Sequence, residues 1–244
     1  MKQFENQVVA VVGGGSGIGR AIAGAVAADG AETVLSSRNR ERLDKAARAI
    51  GSATVLPVDM TDTISVARWA EGLPDIDHLV ISASSAVHGR FEDLPESDLR
   101  SMFDAKFFGP YRMAQAALPK LRDGGSITFF SGVLSRRPGL NCSGLGAVNG
   151  AVESLTYGLA LELGPRLRVN CLSPGMVRSE AYDKLDPSAR ETMYRETGRS
   201  LPLGRVGDTK EAADGALFLM SNTYTTGLVL DVDGGHRIRQ YASR

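Results

Sequence analysis

The sequence predicts an α/β fold, a parallel sheet with helices on both faces, and two observations carry that expectation. Short, β-branched apolar runs alternate with helical patterns along nearly all of the 244 residues. The runs are almost continuously hydrophobic, as strands covered on both faces must be, and helical crossovers between them require parallel pairing.

Taken in order, "QVVAVVG" is a strand and "SGIGRAIAGAVAADG" a helix closing on Gly30. "ETVLSS" is the second strand, followed by the charged helix "RERLDKAARAIG". Then come the strand "ATVLPVD", a short helix around "ISVARWAEG" and the strand "DHLVISAS". A long helix is expected over about 97–121, broken or kinked near Pro110 where proline removes a donor. "SITFFSG" is the next strand, and a long helix lies within "CSGLGAVNGAVESLTYGLALELGP". "LRVNCLSPG" and "GLVLDVDGG" are the last strands, separated by a polar segment and the helix "KEAADGALFLMS". The polar segment, about 178–204, reads as short helices on a surface flap, punctuated by Pro187, Gly198 and Pro202. With no internal repeat and no low-complexity linker, residues 1–244 are expected to form one domain, and the length does not demand two.

Charge is balanced, 28 basic against 28 acidic side chains, which removes the electrostatic footprint expected of a nucleic-acid or anionic-membrane binder. No apolar run reaches the roughly 18–20 residues of a membrane span. The start runs straight into a strand without a cleavable apolar region. Cys142 and Cys171 lie far apart, with no C-x-x-C spacing. A reduced cytoplasmic protein with a small-molecule substrate is expected, without a disulfide or a metal site.

"VGGGSGIGR" ends the first strand and opens the first helix. Glycines at 13, 17 and 19 permit a tight turn and close backbone approach to a pyrophosphate, with Ser16 and Ile18 between them. The first helical N–H groups and the helix dipole then face the phosphate charge. Any strand-to-helix turn can use glycine, but placement in the first βαβ unit points to a dinucleotide. At the end of the second strand an aspartate would bond the ribose 2′-hydroxyl of NAD(H); this chain has Ser37 there and Arg38 next. A guanidinium offers parallel donors to a 2′-phosphate, so NADP(H) is favoured over NAD(H). The alternative is that Arg38 and Arg40 simply solvate the next helix. Glu32 lies too early in the strand to be the ribose acid.

Here the chain resembles the short-chain dehydrogenase/reductase family over nearly its whole length. "GGGSGIG" is similar to the family's T-G-x-x-x-G-x-G loop, with Val12 in place of the threonine. "PVDMTD" resembles the segment that meets the adenine, which implies Asp59 and Met60. "VNCLSPGMVRSE" resembles the P-G motif, implying backbone contacts to nicotinamide around Pro174, Gly175 and Val177, with Ser179 at a threonine position. The order and spacing of these pieces are specific together, though no single piece is. The resemblance implies a Rossmann-like, doubly wound parallel sheet of seven strands in order 3-2-1-4-5-6-7, and a homotetramer or dimer.

The chemistry departs from the family. Its N-A-G element falls on Ser82, Ala83 and Ser84, with Ala83 a cofactor contact. Its catalytic asparagine falls on Lys106, its serine on Gly132, its tyrosine on Leu145 and its lysine on Asn149. No shift repairs this: no tyrosine lies between Tyr111 and Tyr157 and no lysine between Lys120 and Lys184. Tyr157, two turns beyond, is expected to pack on the helix or in an interface. Leucine cannot donate a proton, and losing a positioned general acid costs about 10²–10⁴ in rate.

Lys106 and Asn149 exchange the family's residue types. In one reading Lys106 returns an ammonium near the nicotinamide ribose while Asn149 bonds the ribose hydroxyls; in the other Lys106 snorkels to a salt bridge or an interface. His88 could act as an acid near neutral pH or be an exposed bystander. Ser131, one place before the serine position, could aim a hydroxyl at substrate. Ser135, Arg136 and Arg137 lie where substrate passes, a carboxylate or enolate site or an exposed basic pair. Tyr182 on the flap is a donor or a wall. Leu145, Val148 and Met176 form an apolar floor suited to hydride delivery to an imine or an enone. Three functions stay open: an atypical NADP(H)-dependent reductase, a catalytically silent NADP(H)-binding sensor or partner subunit, and a non-redox isomerase, dehydratase or cyclase.

Overall fold

The computed structural model describes residues 2–51, 53–82 and 86–238. The strands are β1 (Val8–Val12), β2 (Glu32–Ser36), β3 (Ala53–Val55), β4 (Ile76–Ile81), β5 (Leu121–Phe130), β6 (Arg168–Pro174), β7 (Val177–Arg178), β8 (Gly207–Asp208) and β9 (Val229–Val232). The helices are α1 (Gly17–Ala28), α2 (Arg40–Ile50), α3 (Thr63–Gly72), α4 (Glu96–Phe103), α5 (Gly109–Ala117), α6 (Ser143–Leu163), α7 (Pro187–Arg199) and α8 (Thr209–Ser221).

Seven strands pair in parallel in the order β3-β2-β1-β4-β5-β6-β9, the doubly wound order expected, β9 being the expected seventh strand. β7 and β8, a two-residue parallel pair outside the main sheet, have no counterpart in the sequence expectation. Alternation divides the core. Val9 and Val11 of β1 face α1, α2 and α8, meeting Ile22, Leu43 and Ala216. Ala10 and Val12 face α3, α5 and α6, meeting Trp69, Met113 and Val152. Side chains of opposite parity on one strand are thus both buried, which is why the strands show so little polar alternation.

The helix expected over 97–121 is four pieces, the last a 3₁₀ turn at Leu118–Lys120. α4 passes into a π turn, Asp104–Phe108, before α5 begins at Gly109. The backbone stays helical across the junction, with Gly109 N–H bonded to Asp104 O, and Pro110 follows in the first turn of α5. β5 begins at Leu121, five residues before the expected strand. Among the described residues no helix is long and apolar enough to cross a membrane, and both cysteines are free.

A buried histidine sits at the start of β4. His78 Nδ1 lies 2.8 Å from Ser126 Oγ on β5, and Nε2 lies 3.0 Å from Gln7 Oε1. Burial, reinforced by Arg168, depresses its pKa to about 4, against a smaller opposing effect of Asp77. The unfolded chain binds a proton near pH 6.5 that the folded chain refuses until about pH 4, so this contribution is present above pH 6.5 and lost as pH falls. Urea unfolding of wild type and His78→Gln should show wild type losing roughly 3 kcal/mol more between pH 7 and pH 4. Parallel losses in the two proteins would remove His78 as the cause.

Candidate cofactor and active site

Sharp backbone turns build the phosphate cradle. Gly13 and Gly17 have φ of +91° and +54°, a region that glycine enters without strain. A Cβ on Gly19 would stand 2.3 Å from Gly13 O and 2.4 Å from Ser82 Oγ, so the loop closes on α1 only with glycine there. A cavity of about 600 Å³ opens on this loop. Gly13, Ser16, Gly17, Ile18 and Gly19 line it together with Ser37, Arg38, Asp59, Met60 and Ser179, the last lying against Gly17.

This cavity offers the donors that a dinucleotide requires: glycine amides at a helix N-terminus and, along the same walls, the Arg38 guanidinium. Asp62 and Asn39 cap α3 and α2 beside it. Arg40 pairs with Asp44 one turn along α2 and so serves the helix, whereas Arg38 is a wall of the cavity. Asp59 turns its Oδ1 onto Thr61, accepting from the amide at 3.0 Å and the hydroxyl at 2.8 Å. Those two bonds, with a smaller contribution from Arg38, hold its carboxyl below the usual range against partial burial. Pro174, Gly175 and Val177 are not among the cavity walls; Val177 is buried and pairs with Gly207. Ala83 and Ser84 lie outside the described residues.

The end of β5 gathers the remaining polar residues. Lys106, projected inward by the π turn, is only 6% exposed, and its Nζ donates to Ser131 O at 3.0 Å. The snorkelling reading is therefore corrected: the ammonium lies inside the protein, not at a surface ion pair. Burial pulls its pKa down to about 8, with a slight opposing effect of Cys171. Asn149, equally buried, donates from Nδ2 to the next carbonyl, Gly132 O, at 3.2 Å. Its Oδ1 is buried without a hydrogen-bond partner, an acceptor that a ribose hydroxyl would satisfy.

Glu153, one turn beyond Asn149 on α6, is the residue that sequence reasoning missed. Its Oε1 accepts from Ser131 Oγ at 2.9 Å and from Ser135 Oγ at 2.6 Å. Arg136 Nε lies 3.4 Å from Oε2, and the same guanidinium pairs with Asp231, at the edge strand β9. Two expectations are corrected here. The Ser131 hydroxyl is given to Glu153 rather than to a substrate, and Arg136 is neither an anion site nor an exposed cation, because internal carboxylates engage it. The i, i+4 spacing from Asn149 was a usable signal, since it places Glu153 on the same helix face.

Three other candidates fall apart from this group. His88 is exposed, its Nδ1 3.3 Å from Cys142 Sγ, and it is not a wall of the cavity. Tyr182 stacks edge-on against Tyr194 with centroids 5.7 Å apart, and burial, with Tyr194 beside it, raises its pKa, which suits a wall better than a donor. Tyr157 is 52% exposed on α6, so nothing in this chain covers it fully. Leu145 and Val148 are buried against Met102 and are not among the cavity walls, and Met176 is not part of that cluster.

A family model described as enoyl-(acyl carrier protein) reductase matches residues 12–237. Galactitol 2-dehydrogenase (L-tagatose-forming) of Cereibacter sphaeroides is 35% identical, covering 97% of this chain and 97% of the relative. Peroxisomal 2,4-dienoyl-CoA reductase of Danio rerio is 32% identical, covering 95% of this chain and 82% of the relative. Among solved structures, a small-chain dehydrogenase in complex with NADPH superposes with a TM-score of 0.85 at 35% identity, covering 96% of this chain and all of that one.

Glu153 should dominate the stability of this end of the sheet. Glu153→Ala leaves the Ser131 hydroxyl without its acceptor, Ser135 with Gly132 O alone, and a guanidinium with one carboxylate fewer, so urea unfolding should show a loss of roughly 3 kcal/mol. Glu153→Gln, which keeps one acceptor, should lose less; equal stability of wild type and the alanine variant would remove Glu153 as the anchor.

Proposed function

Because the chain belongs to the short-chain dehydrogenase/reductase family, we propose that it is an NADP(H)-dependent oxidoreductase in which Lys106 takes over the proton-donating role. The proposed substrate is small and apolar, carrying an imine or a C=C conjugated to a carbonyl. The observation that carries the reading is Arg38 in the wall of the glycine-loop cavity, with serine instead of a carboxylate at the end of β2. The solved relative that holds NADPH supports the same cofactor. The enoyl reductase description of the family model, and the dienoyl-CoA reductase among the relatives, support the enone over a simple ketone.

Bound in the cavity, the cofactor supplies the hydride. The chain's own residues do the rest. The amides of the glycine loop bind the diphosphate, and Arg38 clamps the 2′-phosphate. Lys106 holds a proton at Nζ whose pKa near 8 suits transfer at neutral pH. Until that transfer, which leaves a neutral amine, the ammonium also stabilises the negative charge that would develop on the substrate oxygen or nitrogen.

A fluorescence titration tests the cofactor: NADPH should bind more tightly than NADH, and Arg38→Ala should weaken NADPH by about 10–100-fold while leaving NADH nearly unchanged. Equal affinities in wild type would defeat the preference. For Lys106, turnover should fall as pH rises through about 8, and Lys106→Met should lose turnover. The same variant should gain stability at pH 7, because below pH 8 both states of the chain carry the proton and the full cost of burying it is present. That cost is relieved between pH 8 and pH 10.5, so the stability gain should vanish in alkali. Unchanged turnover in Lys106→Met would sink the donor role.

A second reading has its own support. With Leu145 at the tyrosine position, the Ser131 hydroxyl is bound to Glu153 and the Asn149 amide to Gly132 O, so that of these groups Asn149 Oδ1 is the one without a partner. Engagement of the hydroxyl and the amide favours a catalytically silent NADP(H)-binding sensor or partner subunit. It predicts tight NADPH binding with no oxidation of NADPH across a panel of imines, enones and ketones.

A further inference from the structure

One carboxylate stands on the phosphate cradle. Glu180 opens a short 3₁₀ turn just after β7. Its Oε2 accepts from the Gly17 N–H at 2.9 Å, and its Oε1 lies 2.5 Å from the Arg20 guanidinium. Gly17 is the first residue of the twelve-residue helix α1, where the amide has no intrahelical partner and the dipole is positive. A carboxylate at that point uses the donors that a diphosphate oxygen would use.

The surroundings agree with that substitution. Ser179, Glu180 and Ala181 line the same cavity as Gly13, Gly15 and Ser16. Partial burial works to raise the Glu180 carboxyl, but its own amide, the Gly17 amide and Arg20 together outweigh it and hold it below the usual range. It is therefore ionised at neutral pH. Two anions cannot share one amide and one guanidinium without strong repulsion at contact distance.

We propose that Glu180 is an internal competitor for the cofactor's diphosphate, so that dinucleotide binding must displace it from Gly17 and Arg20. The proposal rests on the dinucleotide reading of the cavity and adds a consequence. Displacement frees Arg20 to pair with the diphosphate. It also releases the Glu180–Tyr182 turn, and with it the start of the segment leading to α7, from α1. Cofactor entry and rearrangement of the substrate side are then one event, and substrate follows cofactor.

Isothermal titration of wild type, Glu180→Gln and Glu180→Ala with NADPH, and separately with inorganic pyrophosphate, tests it. Both variants should bind NADPH roughly tenfold more tightly than wild type. Hydrogen exchange should show that NADPH loosens the peptide containing Glu180–Tyr182 in wild type, whereas in the variants that peptide is already loose. Equal or weaker NADPH binding by the variants overturns the proposal. If no protein binds NADPH, the dinucleotide reading fails on its own and pyrophosphate decides: tighter binding by the variants upholds the competitor, and equal or absent binding overturns it.

Discussion

A lysine ammonium sealed from water must find an oxygen inside the protein, and Lys106 finds Ser131 O. An isolated buried cation costs several kcal/mol, so the surrounding backbone is committed to supplying that acceptor. The π turn that projects Lys106 and the end of β5 that presents Ser131 O face each other. Just past it, Asn149 grips Gly132 O and Glu153 grips the Ser131 hydroxyl. Consecutive residues on one loop are thus held from two different helical segments. The same loop carries Arg136 across to Asp231 at the edge strand, tying β5, α6 and β9 into one charged network.

The cavity at the other end of α1's loop is built on different physics. Its walls include backbone that glycine allows to turn or approach closely, and cations placed just after β2 and in the first turn of α2, Arg38 and Arg42. Leu145 and Gly132 are not among its walls, although Asp104 and Ala105, from the π turn that carries Lys106, are.

This difference in construction explains what was legible in the sequence. The parallel strands, the helix layers and the glycine turn were readable because each rests on local pattern (buried strands, short crossovers and glycines at a strand-to-helix turn), whereas the strand order came from the family resemblance. Arg38 was readable for the same reason, since its place at a strand end sets what it faces. The buried network was not. Arg136 looks like a loop cation until Glu153 and Asp231 are brought to it from positions 17 and 95 residues away. Lys106 among phenylalanines was ambiguous between a snorkelling stem and a buried charge, and only the direction imposed by the π turn decides. Glu180 hid for a similar reason, because its partner amide on Gly17 lies 163 positions earlier.

Lys106, Gly132 and Asn149 constrain one another at the end of β5. A Cβ on Gly132 would stand 3.1 Å from Asn149 Nδ2, closer than side chains normally sit. A serine at 132 would thus crowd the amide that now holds the Gly132 carbonyl. With asparagine rather than lysine at 149, this helix face carries no cation, while Lys106 supplies one from the opposite side against the adjacent carbonyl. Leu145 then meets Met102 and Val148 and needs no polar partner. A change at Lys106, Gly132 or Asn149 therefore acts on the hydrogen bonds that hold its neighbours, because the carbonyls of Ser131 and Gly132 are gripped in sequence by Lys106 and Asn149.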